Sequence, residues 1–201
     1  MSAVHTDIPF DIDAVLTRYD PQSRLSEYFD RLLAENERIN LVSRETTPDD
    51  LRRLAAESLL PLQVLKGTPS SYLDIGSGGG LPAVPLILAL PSLKRVALLE
   101  RRGRKAAALD RLLTALQFTA EVLPEDYLTA KLTETFDLIT LRLVKPQAAM
   151  LSRIGHNLTD HGSFVYYSAE PPHKNLFHTQ PYTFTCPQSS AVKHFTLLRK
   201  K

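Results

Sequence analysis

The sequence predicts an α/β domain built on a mostly parallel, twisted sheet with helices on both faces. Three observations carry this expectation. From residue 72 onward, short apolar runs and helical patterns alternate, as successive βαβ units require. The turn-forming run Gly67-Thr68-Pro69-Ser70-Ser71 separates that region from a helical N-terminal segment. One apolar run leads straight into four glycines within five positions, from Gly76 to Gly80.

Residues 11–65 give helical patterns, the clearest placing Leu25, Phe29, Leu32, Leu33 and Ile39 on one face. Such a stripe needs a surface to bury it, so residues 1–66 are expected to form a helical extension packed on a core domain of residues 67–201. Within the core, the patterns predict strands at 72–75, 95–99, 120–123, 136–141 and 163–167, with helices near 82–90, 103–117, 125–132 and 145–157. Right-handed crossovers distribute those helices over both faces. Strand patterns near 182–186 and 192–198 have no helix between them and predict an antiparallel C-terminal hairpin.

With 43% hydrophobic residues, a chain of 201 residues can bury one sizeable core. The first 13 residues lack a signal-peptide pattern, and the most apolar run, 81–93, is broken by Pro82, Pro85 and Pro91. A soluble, cytoplasmic protein with no membrane partner is expected. The single cysteine, Cys186, excludes an intrachain disulfide and a cysteine zinc cluster. None of the six histidines, His5, His156, His161, His173, His178 and His194, has metal-ligand spacing, so no metal is expected. A net charge of +2 is too small to imply a nucleic-acid partner, but the cations cluster locally.

In an open α/β sheet, ligands bind outside the carboxyl ends of the strands. The segment Tyr72-Leu73-Asp74-Ile75-Gly76-Ser77-Gly78-Gly79-Gly80-Leu81-Pro82 supplies such a place: glycines let a ligand approach the backbone, and Pro82 suits the first turn of the next helix. No Gly-Lys-Ser/Thr follows, which excludes a P-loop. A nicotinamide fingerprint nearly fits, but Leu81 stands where a small residue allows close helix packing. Glu100 ends the next apolar run and can accept hydrogen bonds from both hydroxyls of a ribose, whichever nucleoside cofactor carries it. Asp74 favours another cofactor: D-x-G-x-G-G-G resembles motif I of the S-adenosylmethionine methyltransferases, whose fold is the Rossmann-like class I α/β domain. That resemblance implies that Asp74, Gly76, Gly78, Gly80, Leu81 and Glu100 bind S-adenosylmethionine, with Asp74 and the loop on its amino-acid end.

Further segments resemble, in order, the bacterial 16S ribosomal RNA guanine-N7 methyltransferases, the family also called glucose-inhibited division protein B or ribosomal small subunit methyltransferase G. Asn36-Glu37-Arg38-Ile39-Asn40-Leu41-Val42-Ser43 is similar to its N-x-x-x-N-L-[TV]-S signature. Gly79-Gly80-Leu81-Pro82-Ala83-Val84-Pro85-Leu86 resembles its G-x-G-L-P-G-I-P-L continuation, including both prolines. Gly103-Arg104-Lys105 with Leu109 resembles G-K-R-x-x-F-L, and Phe136-Asp137-Leu138-Ile139-Thr140-Leu141-Arg142 resembles F-D-x-[VI]-x-S-R. Two segments depart from the family: 123–127 is acidic where an arginine is usual, and Tyr166-Tyr167-Ser168-Ala169 stands where lysine and glycine are expected.

The resemblance implies methylation of a guanine in 16S ribosomal RNA or the small ribosomal subunit by a monomer. Arg142 is the candidate catalytic cation and also a candidate contact of the bound donor, or else an ion pair or phosphate contact with no part in the chemistry. Glu125 or Asp126 could receive the adenine amino group. Arg101, Arg102, Arg104 and Lys105 open a helix whose dipole they oppose, which favours contact with RNA over a solvated face. Asn40 either contacts RNA or pins the helical segment, and Tyr166 and Tyr167 either stack on a base or pack in the core. Competing functions are a nicotinamide-dependent oxidoreductase, an RNA-binding or assembly factor that keeps the fold without catalysis, and a methyltransferase for another RNA or a small molecule.

Overall fold

The computed structural model describes residues 5–169, 171 and 174–201, with Lys174 described by its backbone alone; His173 lies outside the described residues. Helices α1 (Ile12–Tyr19), α2 (Leu25–Asn36) and α3 (Pro48–Leu59) precede the central sheet and follow a short strand, β1 (Thr6–Asp7). Local chemistry fixes their starts. Asp11 accepts a hydrogen bond from Ala14 N at the head of α1, Asp20 accepts from Arg24 N and Leu25 N before α2, and Thr47 and Asp50 form a reciprocal capping box with Pro48 at the first turn of α3.

The core then runs β2 (Ser71–Ile75), α4 (Ala83–Ala89), β3 (Arg95–Leu99), α5 (Gly103–Ala115), β4 (Glu121–Leu123), β5 (Phe136–Leu141), α6 (Ala148–Asn157), β6 (Leu158–Tyr166), β7 (Phe177–Thr185) and β8 (Val192–Lys200). Sheet order is β1-β7-β8-β6-β5-β2-β3-β4, parallel except where β8 pairs antiparallel with β6 and β7. The α/β sheet and the C-terminal hairpin expected from sequence are therefore present. From β2 the chain winds outward through β3 and β4, then returns to β5 on the other side and continues to β6. This reversal makes the carboxyl ends of β2 and β5 a topological switch point.

Strand alternation sorts the sheet into two cores. One face buries Tyr72, Val96, Leu98 and Leu138 beneath α1 to α5, including the predicted stripe Leu109, Leu112, Leu113 and Leu116. The other buries Leu73, Ile75, Leu99, Ile139 and Leu141 beneath Leu151 and Ile154 of α6. Five helices thus lie on one face, and the N-terminal extension shares their core.

Two expectations are corrected. Residues 125–132 form a turn and irregular chain, not a helix. Their carbonyls are held by side chains instead of a helical ladder: Arg153 donates to the carbonyls of Leu128 and Ala130, and Asn157 donates to those of Leu132 and Glu134. Ile39 lies beyond the end of α2 and only partly joins the core. The chain turns there because Asn36 Oδ1 accepts from Leu41 N and Val42 N, while its Nδ2 donates to Ser43 O.

The extension also bears on the glycine loop. Tyr28 Oη donates to Gly79 O at 2.9 Å, and a Cβ at Gly80 would lie 2.8 Å from Val84 Cγ2, 3.1 Å from Leu109 Cδ1 and 3.2 Å from Tyr28 Oη. With φ at +96°, Gly80 also occupies the left-handed region. Gly80→Ala should therefore lower unfolding free energy by about 2–4 kcal/mol through overpacking and backbone strain, measured by urea denaturation. Gly78 has open space instead, with Gly76 O at 3.9 Å from a built Cβ. Gly78→Ala should cost only its φ strain, about 1 kcal/mol.

Candidate active site

A cavity of about 930 Å³ opens at the switch point. The glycine loop forms its floor, with Gly76 and Gly78 at φ +78° and +54° and the start of the loop held to the end of β3, where Gly76 N and Ser77 N both donate to Leu99 O. Glu100 and the start of α5 form one side, the residues after β5 the other, and residues 41–46 with Leu54 reach over from the N-terminal extension.

Asp74 lies on β2 directly beside Thr140 of β5, and the paired register puts both side chains on one face. Thr140 Oγ1 donates to Asp74 Oδ1 at 2.5 Å, and Tyr72 Oη is 2.8 Å from Thr140 Oγ1, completing a buried chain of three polar groups. Asp74 Oδ2 has no hydrogen-bond partner. Burial pushes the carboxyl up to about 6, helped by the Glu100 charge and opposed by the Thr140 and Ser77 hydroxyls and the Arg142 charge. A buried carboxylate oxygen left free, next to an open glycine loop, fits a cationic amino group on the ligand.

Glu100 is held by two backbone donors: Gly78 N to Oε2 at 3.0 Å and Arg102 N to Oε1 at 2.8 Å. Each oxygen keeps a further lone pair, so the fixed carboxylate can still receive two vicinal hydroxyls. Glu125 and Asp126 line the cavity past β4, where Asp126 also caps its turn through Leu128 N.

Arg142, at the end of β5, is nearly buried, with side-chain exposure of 12%. It donates to Ser58 Oγ at 3.0 Å and Leu54 O at 3.4 Å, pairs with Glu57 at 3.2 Å, and lies 5.7 Å from the Tyr167 ring centroid. Burial draws its guanidinium below the usual range while Glu57 opposes that shift. Glu57 is itself the hub of three cations, with Arg53 at 2.9 Å and Lys193 at 2.5 Å in addition to Arg142. Tyr167 Oη donates to Ser58 O at 2.6 Å, tying β6 to the same helix.

Of the residues singled out in the sequence, the cavity collects Gly76, Gly78, Leu81, Glu100, Arg101, Arg102, Lys105, Glu125, Asp126 and Arg142. Asp74 lies beneath the floor, and Gly80 faces the packing of α2, α4 and α5. Arg104 and Asn40 lie outside the cavity wall and are exposed. Asn40 Oδ1 only receives Arg44 Nε, so the pinning role belongs to Asn36. Tyr166 packs in the core, whereas Tyr167 supports Arg142. Sequence patterns also missed Tyr28, Glu57, Thr140 and Lys193; Lys193 lines the cavity from β8. Among the described residues, no three His, Cys, Asp or Glu side chains cluster as metal ligands, and no helix is long and apolar enough to cross a membrane.

A family model described as GidB, rRNA small subunit methyltransferase G, matches residues 21–199. The chain belongs to this family. A relative from Helicobacter acinonychis called ribosomal RNA small subunit methyltransferase G is 32% identical over 163 residues, covering 81% of this chain and 90% of the relative. One of the same name from Helicobacter pylori 26695 is 36% identical over 73% of this chain and 81% of its own. Among solved structures, the N-methyltransferase NodS from Bradyrhizobium japonicum WM9, in complex with S-adenosyl-L-homocysteine, superposes with a TM-score of 0.60 at 18% identity, covering 92% of this chain and 98% of that one. An rRNA methylase from Streptococcus thermophilus gives 0.53 at 13% identity over 72% and 94% of the two chains. These two structures share the class I methyltransferase fold with the family member described here.

Proposed function

We propose that this protein moves the methyl group of S-adenosylmethionine to N7 of a guanine in 16S ribosomal RNA, acting as a cytoplasmic monomer on the RNA or the small ribosomal subunit. The observation that carries the proposal is the gathering of Gly76, Gly78, Glu100 and Arg142 around one cavity at the switch point in a chain of this family. Asp74 Oδ2 and the glycine loop receive the amino-acid end of the donor, Glu100 its ribose hydroxyls, and Glu125 or Asp126 its adenine amino group. Gly80 and Leu81 shape the loop that holds it.

When bound, the donor supplies a methyl group activated by the positive charge on sulfur. Guanine N7 presents a lone pair and no proton, so the protein needs no general base; its task is to hold the base in line. Positive charge passes to the base during transfer, and Arg142 serves by orienting guanine O6 or a nearby phosphate, not by stabilising that charge. Arg101, Arg102, Arg104 and Lys105 at the head of α5 meet the RNA backbone, and Asn40 contacts the RNA from outside the cavity.

Nucleoside mass spectrometry of small-subunit rRNA tests the proposal, using cells that lack the gene and the same cells complemented with wild type or Asp74→Ala. Loss of one 7-methylguanosine, restored by wild type alone, is the expected result. An unchanged nucleoside profile transfers the activity to another substrate or leaves a non-catalytic role in assembly.

A further inference from the structure

Arg142 is followed by a residue whose placement folding alone does not explain. Leu143 is 95% exposed, the most exposed large hydrophobic side chain among the described residues. Its backbone sits at φ +61°, a left-handed conformation that glycine or asparagine accepts and leucine resists. The chain thus bears backbone strain and an unburied leucine at one position, and that position is on the cavity rim. The next residue, Val144, is 37% exposed and reaches the glycine loop, with its Cγ2 3.6 Å from where a Cβ at Gly76 would be. Of these two neighbouring apolar side chains, Val144 touches the glycine loop while Leu143 makes its whole surface available to whatever approaches from solvent.

We infer that Leu143 packs against the face of the guanine that is methylated, holding the base in the cavity mouth beside Arg142; the inference rests on the proposed function. An apolar side chain offers no hydrogen bond, so its complement is a flat apolar surface, and a base taken out of its stack needs such a surface. The donor's adenine is the other purine in this site, and sheet order separates the two. Glu100 follows β3 and Asp126 follows β4, whereas Leu143 follows β5 on the far side of β2. At strand spacings of about 4.8 Å, Leu143 starts roughly 10 Å from the ribose position and about 14 Å from the adenine position. A substrate base entering over Arg142 meets Leu143 first.

The test compares wild type, Leu143→Asn and Leu143→Met on small-subunit rRNA. Asparagine tolerates the positive φ and has similar size without the apolar surface, while methionine keeps that surface. For Leu143→Asn, thermal stability at or above wild type is expected, with unchanged affinity for S-adenosylhomocysteine by calorimetry and a KM for RNA raised at least about fivefold. Leu143→Met should stay within about twofold of wild type, as volume-conserving apolar exchange allows. Equal KM values for Leu143→Asn and wild type overturn the inference, as does a loss of donor affinity, which assigns the side chain to the adenosine. A wild-type protein that transfers no methyl group to any small-subunit RNA overturns the proposed function and this inference together, whereas an active wild type with an indifferent Leu143 overturns the inference alone.

Discussion

Asp74→Asn is expected to weaken donor binding by about 2 kcal/mol or more, at least thirtyfold in Kd, while leaving the protein folded and no less stable at pH 7. The two effects have one cause. Asp74 is 1% exposed, and one of its carboxylate oxygens has no partner in the protein. A carboxyl raised to about 6 in the folded state, against the ordinary aspartate value of 3.8, is a charge that the fold keeps at a cost. Above both values the group is ionised in folded and unfolded chains, and the native state bears the full penalty. As pH falls from about 6 to about 4 the folded chain takes up the proton first, so this group's contribution to stability rises. The stability of wild type minus that of Asp74→Asn should accordingly increase by about 2 kcal/mol between pH 7 and pH 4. Taking the difference cancels the carboxyls held low by partners, such as Asp50 at about 2 beside Arg53 and Thr47. A cationic ligand has the opposite preference: it needs the ionised form. Calorimetry with S-adenosylhomocysteine should therefore show wild-type affinity falling as pH drops through 6, and a weak, pH-independent Kd for Asp74→Asn. An identical Kd for the two proteins at pH 7.5 would remove the carboxylate from the donor site.

The site divides sharply into what the sequence made visible and what it did not. The glycine loop, Asp74, Glu100 and Arg142 were legible because backbone conformation and strand ends leave local marks: glycines where φ is positive, an acid two residues earlier, a charged residue closing an apolar run. Strand β3 was legible because, buried on both faces, it shows as an apolar run from Val96 to Leu99, and β2 and β5 stay mostly apolar around Asp74, Asp137 and Thr140. Partners across the fold leave no such mark. Thr140 meets Asp74 only through the β2–β5 register, and Tyr28 reaches Gly79 across 51 residues. Glu57 stands one helical turn after Arg53, the local pattern of an exposed ion pair, yet it is buried and pairs with Arg142 and Lys193 from far along the chain. The misassigned helix at 125–132 follows from the same limit. Its carbonyls are claimed by Arg153 and Asn157, and no local pattern announces that competition. Spacing alone does not distinguish Asn36 from Asn40, and only the fold shows which amide turns inward.

Glu57 carries the largest expected stability effect. Its carboxylate is 5% exposed and binds Arg53, Arg142 and Lys193, which come from α3, the end of β5 and β8. Glu57→Ala leaves the nearly buried Arg142 guanidinium without its counter-charge, and a guanidinium does not escape by losing a proton. Breaking such a pair from one side costs about 3–5 kcal/mol, to be measured by urea denaturation with the m-value held as a check on two-state behaviour. Glu57→Gln should cost less, because the amide oxygen still accepts one hydrogen bond. The penalty belongs to the charge left behind, and this separates architecture from chemistry. Adding Arg142→Met to Glu57→Ala removes that unpaired charge and supplies an apolar stem of similar reach against Tyr167, so the double variant should regain a substantial part of the lost stability. It should regain no methylation, since the cation assigned to orient the guanine is gone. If instead the two losses in stability simply add, Glu57 and Arg142 are not coupled, and the hub is a surface charge cluster whose members act independently.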